Sequence, residues 1–311
     1  MEFVAAAAGL VALFAGGESL VRGAAALARS LGLPPLVIGL TVVSAATSSP
    51  ELLVTLRAAA TGHPDIAIGN VLGSNIANLT LVLGLSAVLA PVRVHPSSVR
   101  ADVIATLSGT LVVGVLAAIG SAPSWAGGLL LAAGISHIAG AYRRSLAERN
   151  DLDLPAAGSY AVNGWPLTIG QLAGGVALLA VGADWLVWGA QIIARDFGVP
   201  EAAIAATLVA VGTSLPEIAT SLVAAWRGHS DVAVGNAIGS NVFNVFAVLG
   251  SSAAVAPMIV SPRFGALEVP LLLVLTLVVG WALAVRGRLG RVGGLLLFAC
   301  YAVYARAVFA V

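Results

Sequence analysis

The chain has 311 residues, of which 59% are hydrophobic and only 9% are charged, and its formal net charge is +1. Its mean hydropathy is +1.01. Soluble domains carry about 25% charged residues, so this composition excludes an ordinary soluble protein and indicates a polytopic helical membrane protein. The near-neutral charge, without a basic cluster or an aromatic ladder, does not point to a nucleic-acid partner. The single cysteine, Cys300, excludes an internal disulfide and a thiolate metal cluster.

Ten segments are long and apolar enough to cross a bilayer. In chain order they are residues 3–29, 35–61, 66–90, 100–119, 124–142, 165–194, 201–227, 231–256, 265–285 and 291–310. One long polar connector separates the fifth segment from the sixth. We therefore predict three parts, which are a first five-span repeat at 1–142, a connector at 143–164 and a second five-span repeat at 165–311.

The two halves are related by a constant offset of 166 positions. Residues 34–91 and 200–257 agree at 28 of 58 positions when they are aligned without a gap. Internal duplication of this kind defines the architecture of a chain. An odd number of spans in each copy makes the second copy enter from the opposite side, as in secondary transporters with inverted repeats. The predicted fold is therefore an all-α membrane protein of ten transmembrane helices in two inverted five-helix repeats.

Each repeat places a proline and a carboxylate inside an apolar span, as Pro50 with Glu51 and as Pro216 with Glu217. A proline inside a helix frees the carbonyl four residues earlier. In hydrocarbon, a freed carbonyl persists only where it is buried in protein or faces a polar cavity, and an ionisable side chain at that depth indicates a functional site. Carbonyl, hydroxyl and carboxylate oxygens are ligands for hard cations. Two copies of the motif predict one shared cation site.

Further oxygen-bearing side chains share helix faces at a spacing of four residues. These pairs are Thr47 with Glu51, Ser74 with Asn78, Thr213 with Glu217, and Ser240 with Asn244. The structural alternative is a pair of protonated or hydrogen-bonded acids that only hold helices together. We disfavour it because Arg57, the one arginine at comparable depth, has no counterpart in the second copy.

Several repeated residues have structural interpretations of their own. Glycines four apart, at 69 and 73 and at 235 and 239, favour close helix packing. Asn70 and Asn236 are expected to join helices rather than bind ions. Glu18 and Asp184, the paired acids of the first and sixth spans, either line an ion entrance or lie near the interface between these spans.

The motifs at 47–51 and 69–75, repeated at 213–217 and 235–241, resemble the two alpha repeats of the cation/calcium exchanger superfamily. The resemblance is greatest to its prokaryotic sodium/calcium exchanger branch. It extends over the whole chain in topology and over about 58 residues of each repeat in detail.

This resemblance implies an antiporter, not an enzyme, that exchanges Na⁺ for Ca²⁺ by alternating access, with both ions as transported substrates and no tightly bound cofactor. The first and sixth spans would slide as a gate. Glu51 and Glu217 would be shared ligands of both ions. The remaining implied ligands are the side chains of Thr47, Thr213, Ser48, Ser214, Ser74, Ser240, Asn78 and Asn244 and the carbonyls of Ser44 and Ala210.

One position departs from the family pattern. Members of this branch often carry Asp where this chain has Asn244, so two central carboxylates are expected instead of three. Two carboxylates neutralise one Ca²⁺ or two Na⁺, and a third Na⁺ would leave an uncompensated buried charge. The stoichiometry and the coupling ion are left open by the sequence. The alternatives are a Ca²⁺ (cation)/H⁺ antiporter, in which the glutamates carry protons, and a passive cation channel.

Arginines near the ends of the spans predict the orientation, because cytoplasmic loops are enriched in basic residues. Their distribution favours a cytoplasmic connector and both termini outside. The expected location is the inner (plasma) membrane of a prokaryote. The lipid bilayer is the expected partner, and the oligomeric state is left open.

Overall fold

The computed structural model describes residues 1–151, 164–198 and 210–309. Sixteen α-helices are present in the described residues. They are α1 Glu2–Leu31, α2 Pro35–Ile38, α3 Ser44–Thr47, α4 Ser49–Ala60, α5 Pro64–Ala77, α6 Leu83–Leu89, α7 Pro96–Ile119, α8 Ser124–Asp151, α9 Trp165–Asp196, α10 Ala210–Gly212, α11 Leu215–Trp226, α12 Ser230–Phe243, α13 Gly250–Val255, α14 Arg263–Ala266, α15 Glu268–Ala284 and α16 Arg291–Phe309.

Prolines and glycines mark many of the helix ends. Pro64 and Pro96 are the first residues of α5 and α7, where the missing amide would have no helical partner anyway. Gly32 and Gly120 follow α1 and α7 with φ angles of 62° and 79°, a left-handed conformation that favours glycine. These residues fix the tight turns between successive spans.

In the described part of the chain, three π-helical turns interrupt the spans, at Gly39–Val43, Asn78–Val82 and Asn244–Leu249. Such turns widen the backbone locally and are frequent at functional sites. The second begins at Asn78 and the third begins at Asn244, so both asparagines that were predicted as ligands start a widened turn.

Among the described residues, eight helices are long and apolar enough to cross a membrane. A ninth span is the pair Pro35–Thr47 and Ser49–Ala60, which is bent by 49°. The seventh of the ten predicted spans begins outside the described residues, at 201–209, and its described part forms α10 and α11. The protein is thus an all-helical integral membrane protein with the ten-span inverted-repeat architecture expected from the sequence.

Four two-residue strands show how the repeats are joined. They are β1 Val92–Arg93, β2 Ser121–Ala122, β3 Met258–Ile259 and β4 Arg288–Leu289. Strand β1 pairs with β4, and β2 pairs with β3, both antiparallel. Strand β3 follows β1 by the 166-residue offset, so each ribbon takes one strand from each repeat.

The third and eighth spans lie at the centre of the molecule. Over their most apolar stretches, Pro64–Leu89 is 83% buried and Ser230–Val255 is 89% buried, whereas the first and sixth spans are only 39% and 22% buried. Gly235 and Gly239 allow the eighth span to lie directly on the second, since a Cβ at Gly239 would come within 2.6 Å of the backbone of Leu40. The expectation of close packing is confirmed for Gly235 and Gly239 but not for their counterparts in the first repeat, since a Cβ at Gly73 would meet nothing within 4 Å and one at Gly69 only the ring of Phe264 at 3.7 Å.

The first and sixth spans, α1 and α9, cross at very short range. A Cβ at Gly16 would lie 2.8 Å from the amide nitrogen of Leu179, and a Cβ at Gly175 would lie 2.7 Å from that of Leu20. Gly9 and Gly182 make an equivalent contact one heptad further along. Only glycine permits this approach, so the two peripheral helices share a narrow contact line.

Helix α8 extends further than the predicted fifth span. It continues from Ser124 to Asp151, so the first part of the segment predicted as a polar connector is helical. The charged residues there end the apolar stretch but do not end the helix, because arginine and glutamate are good helix formers. Residues 152–163 of that segment lie outside the described residues, and the division into two repeats and a connector stays a prediction.

Candidate cation site

The two proline-carboxylate motifs lie where helices are broken and restarted. Helix α3 ends at Thr47, and α4 begins one residue after Ser48, whose φ and ψ are −85° and 11°. Ser214 has nearly the same angles, −88° and 2°, before α11. Each restart places the glutamate in the first turn of its helix, where free amides and the positive end of the helix dipole favour a carboxylate.

Each of the two carboxyl groups accepts a hydrogen bond from a serine of the opposite repeat. The hydroxyl of Ser48 donates to Glu217 Oε1 at 2.7 Å, and that of Ser214 donates to Glu51 Oε1 at 3.4 Å. Both glutamates are 1% exposed. They are close enough for their charges to interact. Because two buried anions repel each other, this arrangement favours a cation between them.

Several buried oxygens near the two breaks have no hydrogen-bond partner among the described residues. They include the second carboxylate oxygen of each glutamate, together with hydroxyl and amide oxygens of both repeats. These atoms are Glu51 Oε2, Glu217 Oε2, Thr213 Oγ1, Ser240 Oγ, Asn78 Oδ1, Asn241 Oδ1 and Asn244 Oδ1. A buried polar atom without a partner costs about 1–3 kcal/mol. A set of oxygens left in this way has the ligand chemistry of Na⁺ and Ca²⁺ sites.

The four predicted ligands on the third and eighth spans are all buried. Ser74 is 4% exposed, Asn78 is 1% exposed, and Ser240 and Asn244 are fully buried. Neither side-chain atom of Asn78 has a partner, whereas Asn244 Nδ2 donates to Asn75 Oδ1 at 3.0 Å. The amide of Asn244 is therefore held with its oxygen free.

The predicted threonine and carbonyl ligands of the first repeat are already engaged in this conformation. Thr47 Oγ1 donates to Asn236 Oδ1 at 2.9 Å and, more weakly, to the carbonyl of Ser44 at 3.3 Å. The same carbonyl accepts the amide of Ser48 at 2.9 Å. Ala210 begins α10, directly after residues that lie outside the described ones. In the first repeat, both the Thr47 hydroxyl and the Ser44 carbonyl are therefore hydrogen-bonded within the protein.

Asn70 and Asn236 fix the helices that carry the glutamates. Asn236 Nδ2 donates to Ser221 Oγ at 2.9 Å and to the carbonyl of Glu217 at 3.3 Å. Asn70 Nδ2 makes the equivalent bonds, to Thr55 Oγ1 at 2.9 Å and to the carbonyl of Glu51 at 3.4 Å. Their interpretation as links between helices is confirmed.

Asn75 and Asn241 are functional candidates that the sequence analysis did not single out as site residues. Asn75 Nδ2 donates to the carbonyl of Asn241 at 3.3 Å, and Asn241 Nδ2 donates to the carbonyl of Asn75 at 3.2 Å. This reciprocal pair joins the third and eighth spans where the two repeats meet. In the sequence, the pair is marked by the recurrence of asparagine at the 166-residue offset. In the structure, both asparagines are fully buried.

The two acids on the first and sixth spans have different surroundings. Glu18 binds Arg22 at 2.6 Å and Arg227 at 2.8 Å, so it links α1 to the end of α11. Asp184 instead lines a crevice of about 460 Å³ that reaches Thr213 of the site. Of the two interpretations left open by the sequence, an ion entrance fits Asp184, whereas Glu18 lies at the contact of the first span with the seventh and not with the sixth.

The site's charge is limited to two carboxylates. Within the described part of the chain, no group of three or more His, Cys, Asp or Glu side chains is arranged to hold a metal ion. Glu51 and Glu217 therefore supply the negative charge, and the other candidate ligands are neutral oxygens. This donor set balances one Ca²⁺ or two Na⁺.

Adjacent serines allow the hydrogen bond to Glu217 to be tested. We expect Ser48→Ala to raise the apparent KM for Ca²⁺ by about tenfold or more, because a hydrogen bond to a charged group contributes about 1.5–3 kcal/mol. Ser49→Ala is the matched control, since the Ser49 hydroxyl only donates to the carbonyl of Ala45 at 2.9 Å. The measurement is isotopic Ca²⁺ uptake into proteoliposomes, and equal KM values for the two variants would contradict the assigned role of Ser48.

Inverted repeats with broken helices that meet at a buried oxygen site define the class of secondary cation transporters. Comparisons with known proteins agree with this class. The family model described as sodium/calcium exchanger protein matches residues 1–136 and 167–310. The chain belongs to the sodium/calcium exchanger protein family.

Individual relatives cover most of the chain. The putative antiporter CaxA of Alkalimonas amylolytica is 37% identical over 259 residues, which is 81% of this chain and 80% of that protein. The sodium/calcium exchanger MaX1 of Methanosarcina acetivorans is 28% identical and covers 98% of this chain and 97% of its own length. The solved structure of the sodium-calcium exchanger NCX_Mj soaked with zero Na⁺ and Ca²⁺ superposes with a TM-score of 0.85 at 28% identity, covering 99% of this chain and 98% of that one.

Proposed function

We propose that this protein exchanges Na⁺ for Ca²⁺ across a membrane by alternating access. The observation that carries the proposal is the burial of Glu51 and Glu217 together, with each carboxyl group bonded to a serine of the opposite repeat. The family membership supports the same assignment.

Competition of Na⁺ and Ca²⁺ for the two glutamates would couple the transport of one ion to the transport of the other. Ca²⁺ and Na⁺ both need the charge of Glu51 and Glu217, so the site can hold one kind of ion but not both at full occupancy. With neither ion bound, two facing carboxylates leave the buried site with unbalanced charge, which is costly at membrane depth. Occupied states would therefore switch between the two membrane faces more readily than the empty state does.

The ligands in this proposal come from both repeats. Glu51 and Glu217 are shared by both ions, and neutral oxygens complete the coordination on each side. These are the side chains of Thr47, Thr213, Ser48, Ser214, Ser74, Ser240, Asn78 and Asn244 and the carbonyls of Ser44 and Ala210. Bonds that now hold Thr47 and the Ser44 carbonyl would rearrange when an ion enters from their side.

The conformation supports access from one side. The crevice beside Asp184 leads to Thr213, while the equivalent acid of the first repeat, Glu18, is tied to Arg227. Asp184 lies nearer the end of α9 that is remote from the connector. With a cytoplasmic connector, as the arginine distribution indicates, the crevice opens to the outside and both termini lie outside. We place the protein in the plasma (inner) membrane of a prokaryotic cell.

Ion fluxes in proteoliposomes test the function directly. Isotopic Ca²⁺ uptake is measured with Na⁺, K⁺ or H⁺ gradients imposed one at a time on the purified protein. We expect uptake to follow the outward Na⁺ gradient and to reverse when that gradient is reversed. Uptake driven by a pH gradient without Na⁺ would identify a Ca²⁺/H⁺ antiporter, and Ca²⁺ flux that ignores every countergradient would identify a passive channel.

A further inference from the structure

A second pair of ionisable side chains lies inside the helical bundle, on spans that supply none of the proposed ligands. Asp102 on α7 and His137 on α8 are joined by a bond of 2.7 Å between Oδ1 and Nε2. Asp102 is 3% exposed, and the side chain of His137 is 16% exposed. The residues at the 166-residue offset are Glu268 and Val303, so the pair belongs to one repeat only.

Both residues lie within helices that are assigned as membrane spans. At 1.5 Å per residue, Asp102 is about 9 Å from the start of α7, and His137 is about 20 Å from the start of α8. Both helices are long and apolar enough to span the bilayer. An ionisable pair at such a position is expensive to maintain, which makes it a candidate functional site.

A cavity of about 130 Å³ connects the pair to the widened turns of the ion-binding spans. The π turn Gly39–Val43 contributes Leu40 and Thr41 to its wall, and the π turn Asn244–Leu249 contributes Phe246 and Ala247. The first turn directly precedes Ser44, and the second starts at Asn244. The pair therefore lines the same cavity as two segments that contain or adjoin proposed ligands.

No other titratable side chain in the described part of the chain lines this cavity. Where the side chains are described, the remaining titratable or charged groups on α7, α8 and the elements packed against them are Arg100, Tyr142, Arg143, Arg144, Asp231, Arg263 and Glu268. Arg100 donates to the carbonyl of Ala284, and Arg263 lies over the ring of Phe264. None of these groups lines the cavity, so the charged neighbour that each member of the pair has there is its partner.

The side chains that line the cavity are suited to bind a proton and not a metal ion. Metal ions need four or more ligands, and this wall offers one carboxylate and one imidazole. The only other polar side chain that lines it, that of Thr41, donates its hydroxyl to the carbonyl of Val37 at 2.6 Å. A proton needs only the two groups that are present.

We propose that Asp102 and His137 form a proton-binding site that controls the affinity of the exchanger for Ca²⁺. With a neutral imidazole, the pair carries one negative charge, which favours a cation at the adjacent ion site. After the imidazole takes up a proton, the pair is neutral overall and that attraction is lost. By linkage, Ca²⁺ at the ion site weakens proton binding at the pair by the same factor.

The transport test rests on the proposed Na⁺/Ca²⁺ exchange. Apparent KM values for Ca²⁺ are measured in proteoliposomes near pH 8 and near pH 6 for the wild type, Asp102→Asn, His137→Gln and the control His95→Gln. His95 is a fitting control because it is exposed and bonds only to Ser97. We expect the wild-type and control KM to rise by about fivefold or more at the lower pH.

The variants separate this site from the central glutamates. Asp102→Asn removes the negative charge and with it the carboxylate that stabilises a protonated imidazole, so its KM should already be high near pH 8 and any further rise in KM should move to lower pH. His137→Gln should lose the pH dependence of the wild type. If both variants follow the wild-type profile, or if the wild-type KM does not change with pH, the proposal is wrong.

A binding measurement keeps the proposal testable without transport. In nitrogen-labelled protein, the ring signals of His137 should titrate, and Ca²⁺ and the Asp102→Asn substitution should each shift that titration. An imidazole that does not titrate between about pH 5 and pH 9 would overturn the proposal. Absence of Na⁺-driven uptake in the wild type would instead reject the proposed function, and the histidine titration would still decide the proton site.

Discussion

Glu51→Gln and Glu217→Gln are each expected to abolish Ca²⁺ uptake driven by a Na⁺ gradient. Glutamine keeps the size of the side chain and one oxygen, so the change removes charge rather than volume. A Ca²⁺ ion facing a single carboxylate leaves a buried charge uncompensated, which costs about 3–5 kcal/mol. This corresponds to a loss of about a hundredfold or more in uptake at a fixed Ca²⁺ concentration.

Glu268→Gln is the matched control, because Glu268 also lies in a membrane helix but on α15, outside the site. Each variant should elute as a single species in size-exclusion chromatography, which shows that the fold is kept. Uptake at the wild-type rate in either Glu51→Gln or Glu217→Gln would remove the basis of the proposed mechanism.

Gly175→Val is expected to reduce uptake by more than about tenfold. A Cβ at this position would lie 2.7 Å from the amide nitrogen of Leu20 and 3.0 Å from the carbonyl of Gly16, so valine would force α1 and α9 apart. Overpacking of this kind costs about 1–3 kcal/mol. If the two helices slide together as a gate, as the family resemblance implies, separating them also disturbs the opening and closing of the site.

The neighbouring glycine provides the control. No described atom lies within 4 Å of a Cβ built at Gly174, so Gly174→Val changes composition and helix propensity equally without entering the contact. Uptake rates are compared at equal amounts of reconstituted protein. Equal rates for the two variants would show that the close crossing of α1 and α9 has no part in transport.

The sequence predicts most of the fold because the apolar spans and the 166-residue duplication are encoded locally and repeatedly. Bilayer thickness fixes the length of each span, and the odd number of spans in each copy fixes the inversion. The end of the fifth span was less predictable. Helix α8 continues to Asp151 because hydropathy reports where lipid ends, not where a helix ends.

The sequence predicts the individual residues of the candidate site but not the hydrogen bonds that join the two repeats there. The repeated Pro-Glu motif identifies Glu51 and Glu217, yet nothing in the chain order indicates that Ser48 bonds to Glu217 rather than to its own neighbour Glu51. That contact depends on how the repeats meet. Asn78 and Asn244 are hydrogen-bonded differently for the same reason. They stand at equivalent positions of the two repeats, but the two repeats adopt different conformations, so the surroundings of the two side chains differ.

The Asp102–His137 pair shows the limit of arguing from repetition. Both residues lie in apolar spans, but only the acid has a counterpart at the offset, Glu268, while Val303 replaces the histidine, and 35 positions separate the pair. A search for duplicated motifs passes over such residues. Only the packing of α7 against α8 reveals that each is the other's partner.

The two short β ribbons have a consequence for how the molecule holds together. Each ribbon takes one strand from each repeat, so the halves are fastened to one another at both surfaces of the membrane. The covalent link between the halves is then a tether rather than the source of their association. Two separate five-span polypeptides would meet through the same backbone bonds, which is the arrangement expected of an ancestral dimer of oppositely inserted subunits.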